Sequence, residues 1–82
     1  MTTIEQQAKD LERALYIMES MRRKPWLTAA DRRAVVESTK AKVAAAEQTL
    51  RLPATPDTAY ARRKLTIWRE MAVGTLKAPE YQ

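Results

Sequence analysis

The chain has 82 residues, a net charge of +5 and 45% apolar residues. Fourteen of the apolar residues are alanine and none is phenylalanine, so a single copy has little large apolar volume to bury against the entropy of the unfolded chain. The absence of cysteine and histidine excludes disulfides and thiolate or imidazole metal sites. We therefore expect one small domain stabilised by self-association, with no enzymatic activity, metal or cofactor.

The first predicted helix spans about residues 3–23. Thr2 or Thr3 provides an N-cap, since each is followed three residues later by a glutamate or a glutamine. Apolar residues then recur at spacings of three and four and predict one broad buried face: Ile4, Ala8, Leu11, Leu15 and Met18. Pro25 ends the helix, because the residue before a proline is disfavoured in the helical conformation.

The second predicted helix spans about residues 29–51, with Thr28 as its N-cap and Asp31 in its first turn. One apolar stripe consists of Val35, Val36, Thr39, Val43, Ala46 and Leu50. A second track lies on nearly the opposite side and consists of Ala30, Ala34, Ala41 and Ala45. This track indicates either an exposed helix of high propensity or a close contact between two backbones, and its charged neighbours favour the first interpretation.

The third predicted helix spans about residues 56–73. Thr55 is its N-cap and Pro56 occupies the first helical position, where a missing N–H costs nothing. Gly74 is the expected C′ residue that ends the helix. The following residues 75–82 contain few apolar side chains, so we expect them to form a flexible tail.

These elements predict an all-α fold in which residues 1–74 form a single domain. The first two helices form a long antiparallel hairpin, and the third, C-terminal helix completes the core. A single short hairpin cannot cover its own broad apolar stripes, so the sequence favours a homodimeric helical bundle. Docking of the third helix on its own chain and exchange with the second copy both remain open.

Cationic and aromatic residues are concentrated where the first two helices are joined. The residues concerned are Arg22, Arg23, Lys24, Trp26, Arg32 and Arg33. They suit an acidic protein groove or phosphates and bases. In a purely structural interpretation Arg22 and Arg23 complement the helix dipole, while Trp26 and Leu27 close the end of the core. This interpretation does not explain Arg32 and Arg33, which lie near a helix N-terminus.

A second candidate surface lies on the third helix, which is basic and carries an apolar face that includes Tyr60, Trp68 and Met71. Its residues are Tyr60, Arg62, Arg63 and Trp68. In outline it resembles a recognition helix, but the preceding helix is too long for a compact helix-turn-helix. Asp57 near its start is also unfavourable next to phosphates. These features disfavour sequence-specific DNA binding.

In size, absence of cysteine and all-helical character the chain resembles the small accessory proteins of temperate phages that bind and inhibit a host protein. The resemblance covers no defined motif and implies a binding role. We therefore expect a protein-interaction module that occludes a partner with an acidic or apolar groove. The alternative is a nucleic-acid-binding protein that uses the same cations.

Residues 43–46 form the longest apolar run, which is much shorter than the roughly 20 residues of a membrane span. The first residues lack the basic and apolar pattern of a secretory signal. We therefore expect a cytoplasmic location.

Overall fold

The computed structural model describes residues 3–82 and contains three helices packed against one another. They are α1 (Ile4–Met21), α2 (Ala29–Leu50) and α3 (Ala59–Leu76). A 3-10 turn at Pro56–Thr58 precedes α3, and another at Pro79–Tyr81 follows it. The described residues contain no strand. The predicted all-α fold with three helices is confirmed.

The first two helices begin with the caps that the sequence predicts. Thr3 is the N-cap of α1, and its Oγ1 accepts a hydrogen bond of 3.0 Å from the backbone N–H of Gln6. The alternative cap Thr2 lies outside the described residues. At α2 the Asp31 N–H donates to Oγ1 of Thr28 (3.0 Å), and the Thr28 N–H donates back to the Asp31 carboxylate (3.1 Å). The hydrogen bond from the Thr28 backbone is the main cause that lowers the pKa of Asp31.

The bounds of α3 correct the sequence prediction at both ends. Pro56–Thr58 forms a 3-10 turn after Thr55, so the α-helix begins at Ala59 instead of residue 56. Gly74 does not end the helix, because it has no positive φ and α3 continues to Leu76. A helical glycine costs up to about 1 kcal/mol relative to alanine. Packing of Leu76 against the core offsets this cost, and the sequence around Gly74 does not reveal that contact.

The helices run up, down and up, and their apolar faces meet in two adjoining clusters. The larger cluster consists of Ala8, Leu11, Leu15, Val43, Ala46, Leu65 and Ala72. The smaller one lies where α1 ends and consists of Met18, Met21, Val36 and Tyr81. α3 packs on α1 and α2 of its own chain, and the molecule measures 46 × 21 × 17 Å.

The alanine track on α2 is exposed along its whole length. Ala30, Ala34, Ala41 and Ala45 all face solvent in the single chain. This agrees with the interpretation of the track as an outer helix surface of high propensity. On the inner side the only buried polar side chain among the described residues is Thr39, whose hydroxyl donates to the Val35 carbonyl at 2.9 Å.

The segment after α3 packs against the helices, which corrects the expectation of a flexible tail over residues 75–82. Tyr81 is only 8% exposed and belongs to the smaller cluster. Its hydroxyl donates a hydrogen bond of 2.8 Å to the backbone carbonyl of Met18. Glu80 forms an ion pair with Arg22. A count of apolar residues misses this arrangement, because one aromatic ring supplies most of the burial.

Across residues 3–82, none of the helices combines the length and the apolar character that crossing a bilayer requires.

Candidate partner-binding surface

The segment of residues 22–33, which we call the tip, joins α1 to α2 through a hydrogen-bonded turn. The Lys24 N–H donates to the Met21 carbonyl, and the Leu27 N–H donates to the Lys24 carbonyl, both at 3.1 Å. Leu27 packs against the smaller core cluster, while Trp26 is 73% exposed. The interpretation in which Trp26 and Leu27 together close the core therefore agrees with the position of Leu27 and is wrong for Trp26, whose indole faces solvent.

The cations of the tip fall into two groups. Arg22 is paired with Glu80, and this hydrogen bond is the main cause that raises the pKa of the Arg22 guanidinium. Arg32 donates to the Lys24 carbonyl at 3.2 Å and so braces the turn from the first part of α2. The remaining tip cations are exposed and form no ion pair within residues 3–82: Arg23, Lys24 and Arg33.

The predicted residues at the start of α3 lie at the opposite end of the molecule from the tip. Arg62 donates to the backbone carbonyls of Thr49 (3.3 Å) and Leu50 (2.8 Å), where α2 ends. Because the last carbonyls of a helix lack partners within the helix, Arg62 caps α2 and is occupied by the fold. Arg63 is exposed. The structure therefore does not bring the two predicted groups of residues into one surface.

The aromatic residues of α3 have different environments. Tyr60 is 68% exposed, and the Lys64 ammonium lies 5.4 Å from the centroid of its ring. Trp68 is half-buried and packs against the larger core cluster. Near Trp68, Arg69 donates two hydrogen bonds to one carboxylate oxygen of Glu47, at 2.9 and 3.2 Å. Two cations of α3, Arg62 and Arg69, are thus used inside the fold.

The candidate face of α3 with Trp68 and Met71 borders a groove between α1 and α3, and the contribution of α1 to this groove is not predicted from the sequence. Its volume is about 670 Å³, and its apolar surface comes from Tyr16, Trp68 and Met71. Tyr16 is 74% exposed, the highest value among the large apolar residues described. The sequence signal for this groove is the aromatic ring of Tyr16 on the polar side of an amphipathic helix. An analysis that looks only for the buried apolar stripe does not detect it.

The described residues contain no cluster of metal-ligating side chains. No group of three or more acidic side chains within residues 3–82 is close enough to hold a metal ion. Comparison with protein-family models, with curated proteins and with solved structures finds no match for this chain. The function is therefore inferred from the arrangement of the exposed groups.

Proposed function

We propose that the protein is a small, non-enzymatic interaction module that binds another protein through the tip and occludes the surface it covers. The observation that carries this proposal is the 73% exposure of Trp26 on a turn fixed by backbone hydrogen bonds. Tryptophan and arginine dominate the binding energy of protein interfaces. An aromatic anchor held in place before binding also loses little conformational entropy on association.

The chemistry of the tip favours a partner with an apolar slot rimmed by carboxylates. The indole of Trp26 supplies the apolar group, and the exposed Arg23, Lys24 and Arg33 supply the surrounding positive charge. Together with the net charge of +5, these groups accelerate encounter with an acidic surface. The bundle behind the tip, 46 Å long, provides the bulk that blocks competing ligands.

An inhibitor of the phage type, acting on a host protein, is one form of this function. We propose a cytoplasmic partner, in keeping with a chain that has no cysteine.

Nucleic-acid binding is the alternative that the basic charge favours, because the same cations suit phosphates. The geometry supports a protein partner more strongly. Arg62 and Arg69 are bonded within the fold, which leaves the proposed recognition helix with fewer free cations. The tip presents one indole, whereas non-specific binding of single strands uses several aromatic rings that stack on successive bases.

The test compares capture of host proteins by three tagged forms of the chain: wild type, Trp26→Ala and Leu52→Ala. Leu52 is a matched control, because it is 61% exposed and lies in the connection at the opposite end of the molecule. We expect the wild type and Leu52→Ala to retain the same host protein from a nuclease-treated lysate. Trp26→Ala should lose most of it, with capture measured by quantitative mass spectrometry.

The same three forms are titrated with a fluorescent duplex and a fluorescent single strand over a range of salt concentrations. Binding that falls steeply with salt and is insensitive to Trp26 would favour the nucleic-acid alternative. Equal capture of host protein by wild type and Trp26→Ala would remove Trp26 as the anchor.

A further inference from the structure

The side of the molecule formed by α1 and α3 presents apolar residues to solvent along both helices. Tyr16 on α1 is 74% exposed, and Ile67 and Met71 on α3 are 50% and 51% exposed. Half-buried Trp68 lies in the groove between them. An apolar surface that continues across two helices marks an interaction site more strongly than scattered single residues do. We call this surface the α1–α3 face.

Charged residues on the α1 part of this face follow a symmetric pattern. Five residues of α1 recur at spacings of three and four and therefore share one side of the helix: Glu5, Lys9, Glu12, Tyr16 and Glu19. Four of them are arranged as two pairs around residue 14. Glu12 and Tyr16 lie two residues from it, and Lys9 and Glu19 lie five residues from it. Each pair joins an acid to a base or to a phenol.

We propose that the occupant of the α1–α3 face is a second copy of this chain, related by a two-fold axis that passes α1 near residue 14. In such an isologous contact the two α1 helices run antiparallel, so residues at equal distances on opposite sides of the axis come level. Lys9 then meets Glu19 of the second copy, and the carboxylate of Glu12 accepts a hydrogen bond from the phenol of Tyr16.

The charges concerned are free to form these contacts. None of Glu5, Lys9, Glu12, Glu19 and Arg23 takes part in an ion pair within residues 3–82. The spacings of four between Glu5 and Lys9 and between Glu19 and Arg23 would also permit pairs within one helix, but the structure does not form them. The face therefore offers unpaired charges of both signs in a self-complementary order.

The same axis gives a consistent arrangement of α3. Arg62 contacts the end of α2, and Leu76 packs with Met18 and Met21 at the end of α1, so α1 and α3 run parallel. Both have 18 residues, which keeps them level along their length. The axis then passes α3 near residue 69 and places Ile67 against Met71 of the second copy. Apolar residues meet apolar residues, as a stable contact requires.

The area of the face is sufficient for a specific dimer. Two adjacent helices of 18 residues present a surface about 27 Å long and about 20 Å wide, from the rise and diameter of an α-helix. This corresponds to about 500 Å² per copy and about 1,000 Å² in total, which reaches the minimum expected of a biological interface and lies below the roughly 1,200–2,000 Å² of the most stable ones. The contact leaves both tips exposed at opposite ends of the dimer, so this inference does not rest on the proposed function of the tip.

The first test exchanges charges and measures mass by sedimentation equilibrium of the full chain at micromolar concentration. We expect the wild type to sediment with twice the mass of the 9.4 kDa chain. Lys9→Glu and Glu19→Lys each place like charges opposite one another at two symmetric positions and should weaken the dimer about 30-fold. The double variant Lys9→Glu/Glu19→Lys restores opposite charges and should return to within about threefold of the wild type.

Lys40→Glu is the matched control, since it makes the same change of charge on α2, which takes no part in the contact. The ion pair between Lys40 and Glu37 is weak and exposed, so the loss of this pair should not affect folding or assembly. Circular dichroism of every variant verifies that the helices are intact.

The second test measures the register by disulfide formation, which the cysteine-free chain makes unambiguous. In Lys9→Cys/Glu19→Cys each new thiol lies opposite a thiol of the second copy, so oxidation should give a covalent dimer. The Lys9→Cys variant alone should not crosslink, because its two thiols are about 15 Å apart along the axis, beyond the reach of a disulfide. The same distance prevents a bond between positions 9 and 19 of one chain.

Three results would overturn the proposal. The first is a wild-type chain that stays monomeric at high micromolar concentration, which would leave the face to a different partner. The second is a dimer that Lys9→Glu, Glu19→Lys and Tyr16→Ala do not weaken, which would place the contact on another surface. The third is crosslinking of Lys9→Cys alone, which would exclude the antiparallel register.

Discussion

Replacement of Tyr81 by phenylalanine tests how the last described segment stabilises the fold. The Tyr81 hydroxyl donates to the Met18 carbonyl in the last turn of α1, while the Arg22 N–H bonds instead to Glu19 at 3.2 Å. Tyr81→Phe keeps the buried ring and leaves that carbonyl without this donor. Loss of the hydrogen bond in a buried position should cost about 2 kcal/mol in the free energy of unfolding.

This loss is a large fraction of the total, since a domain of this size has an unfolding free energy of about 4–12 kcal/mol. The corresponding decrease in Tm is about 8–16 °C. Thermal and urea denaturation, followed by circular dichroism at one fixed protein concentration, measure both quantities. Tyr60→Phe is the control, because Tyr60 is 68% exposed and its hydroxyl forms no hydrogen bond within residues 3–82. Equal stability of the two variants would show that the hydrogen bond from the Tyr81 hydroxyl does not stabilise the fold.

Three further predictions concern the ends and the interior of the helices. Gly74→Ala should stabilise the protein by about 0.5–1 kcal/mol, because Gly74 is helical and no atom lies within 4 Å of an added Cβ. Arg62→Ala should destabilise it by about 1–2 kcal/mol through loss of the hydrogen bonds to the end of α2. Asp31→Asn should lower the free energy of unfolding at pH 7. At a pH below the lowered pKa of Asp31 the substitution should have no effect, because the wild-type carboxyl group is then protonated as well. The wild type loses this contribution as the pH falls from about 3.9, the ordinary aspartate value, through the lower value of the folded state.

Each of these predictions has a result that would contradict it. A destabilised Gly74→Ala would mean that the glycine ends the helix after all. The control is Arg63→Ala, which replaces an exposed neighbour of Arg62 and should change the free energy of unfolding by less than about 0.5 kcal/mol. If Arg62→Ala had an effect equally small, Arg62 would not cap α2. A difference between wild type and Asp31→Asn that persists unchanged at low pH would show that the carboxylate is not its source.

The sequence predicts most of the helical architecture, because the decisive signals are local. Thr3 and Thr28 begin their helices as expected, since a cap involves residues only three positions apart. The exposed alanine track follows from its charged neighbours. The predictions for Gly74 and for residues 75–82 differ from the structure, because the conformations of these residues depend on Leu76 and Tyr81 packing against distant residues of α1.

The candidate surfaces were predicted only in part. The exposure of Trp26 agrees with its proposed role as an anchor, because a turn between two helices lies at the molecular surface. Arg62 was assigned to a binding surface and instead caps α2, a contact between elements that charge alone does not reveal. The α1–α3 face depends on which sides of two helices are left uncovered, and this becomes apparent only when their packing is known.

The contact between Tyr81 and Met18 joins residues 63 positions apart in the chain. During synthesis, α1 and α2 are complete long before residue 81 has been added, and the smaller cluster then lacks its aromatic member. A hairpin of α1 and α2 that forms before residue 81 is in place therefore leaves Met18 and Met21 without the ring of Tyr81, and full coverage of these side chains depends on the last described turn.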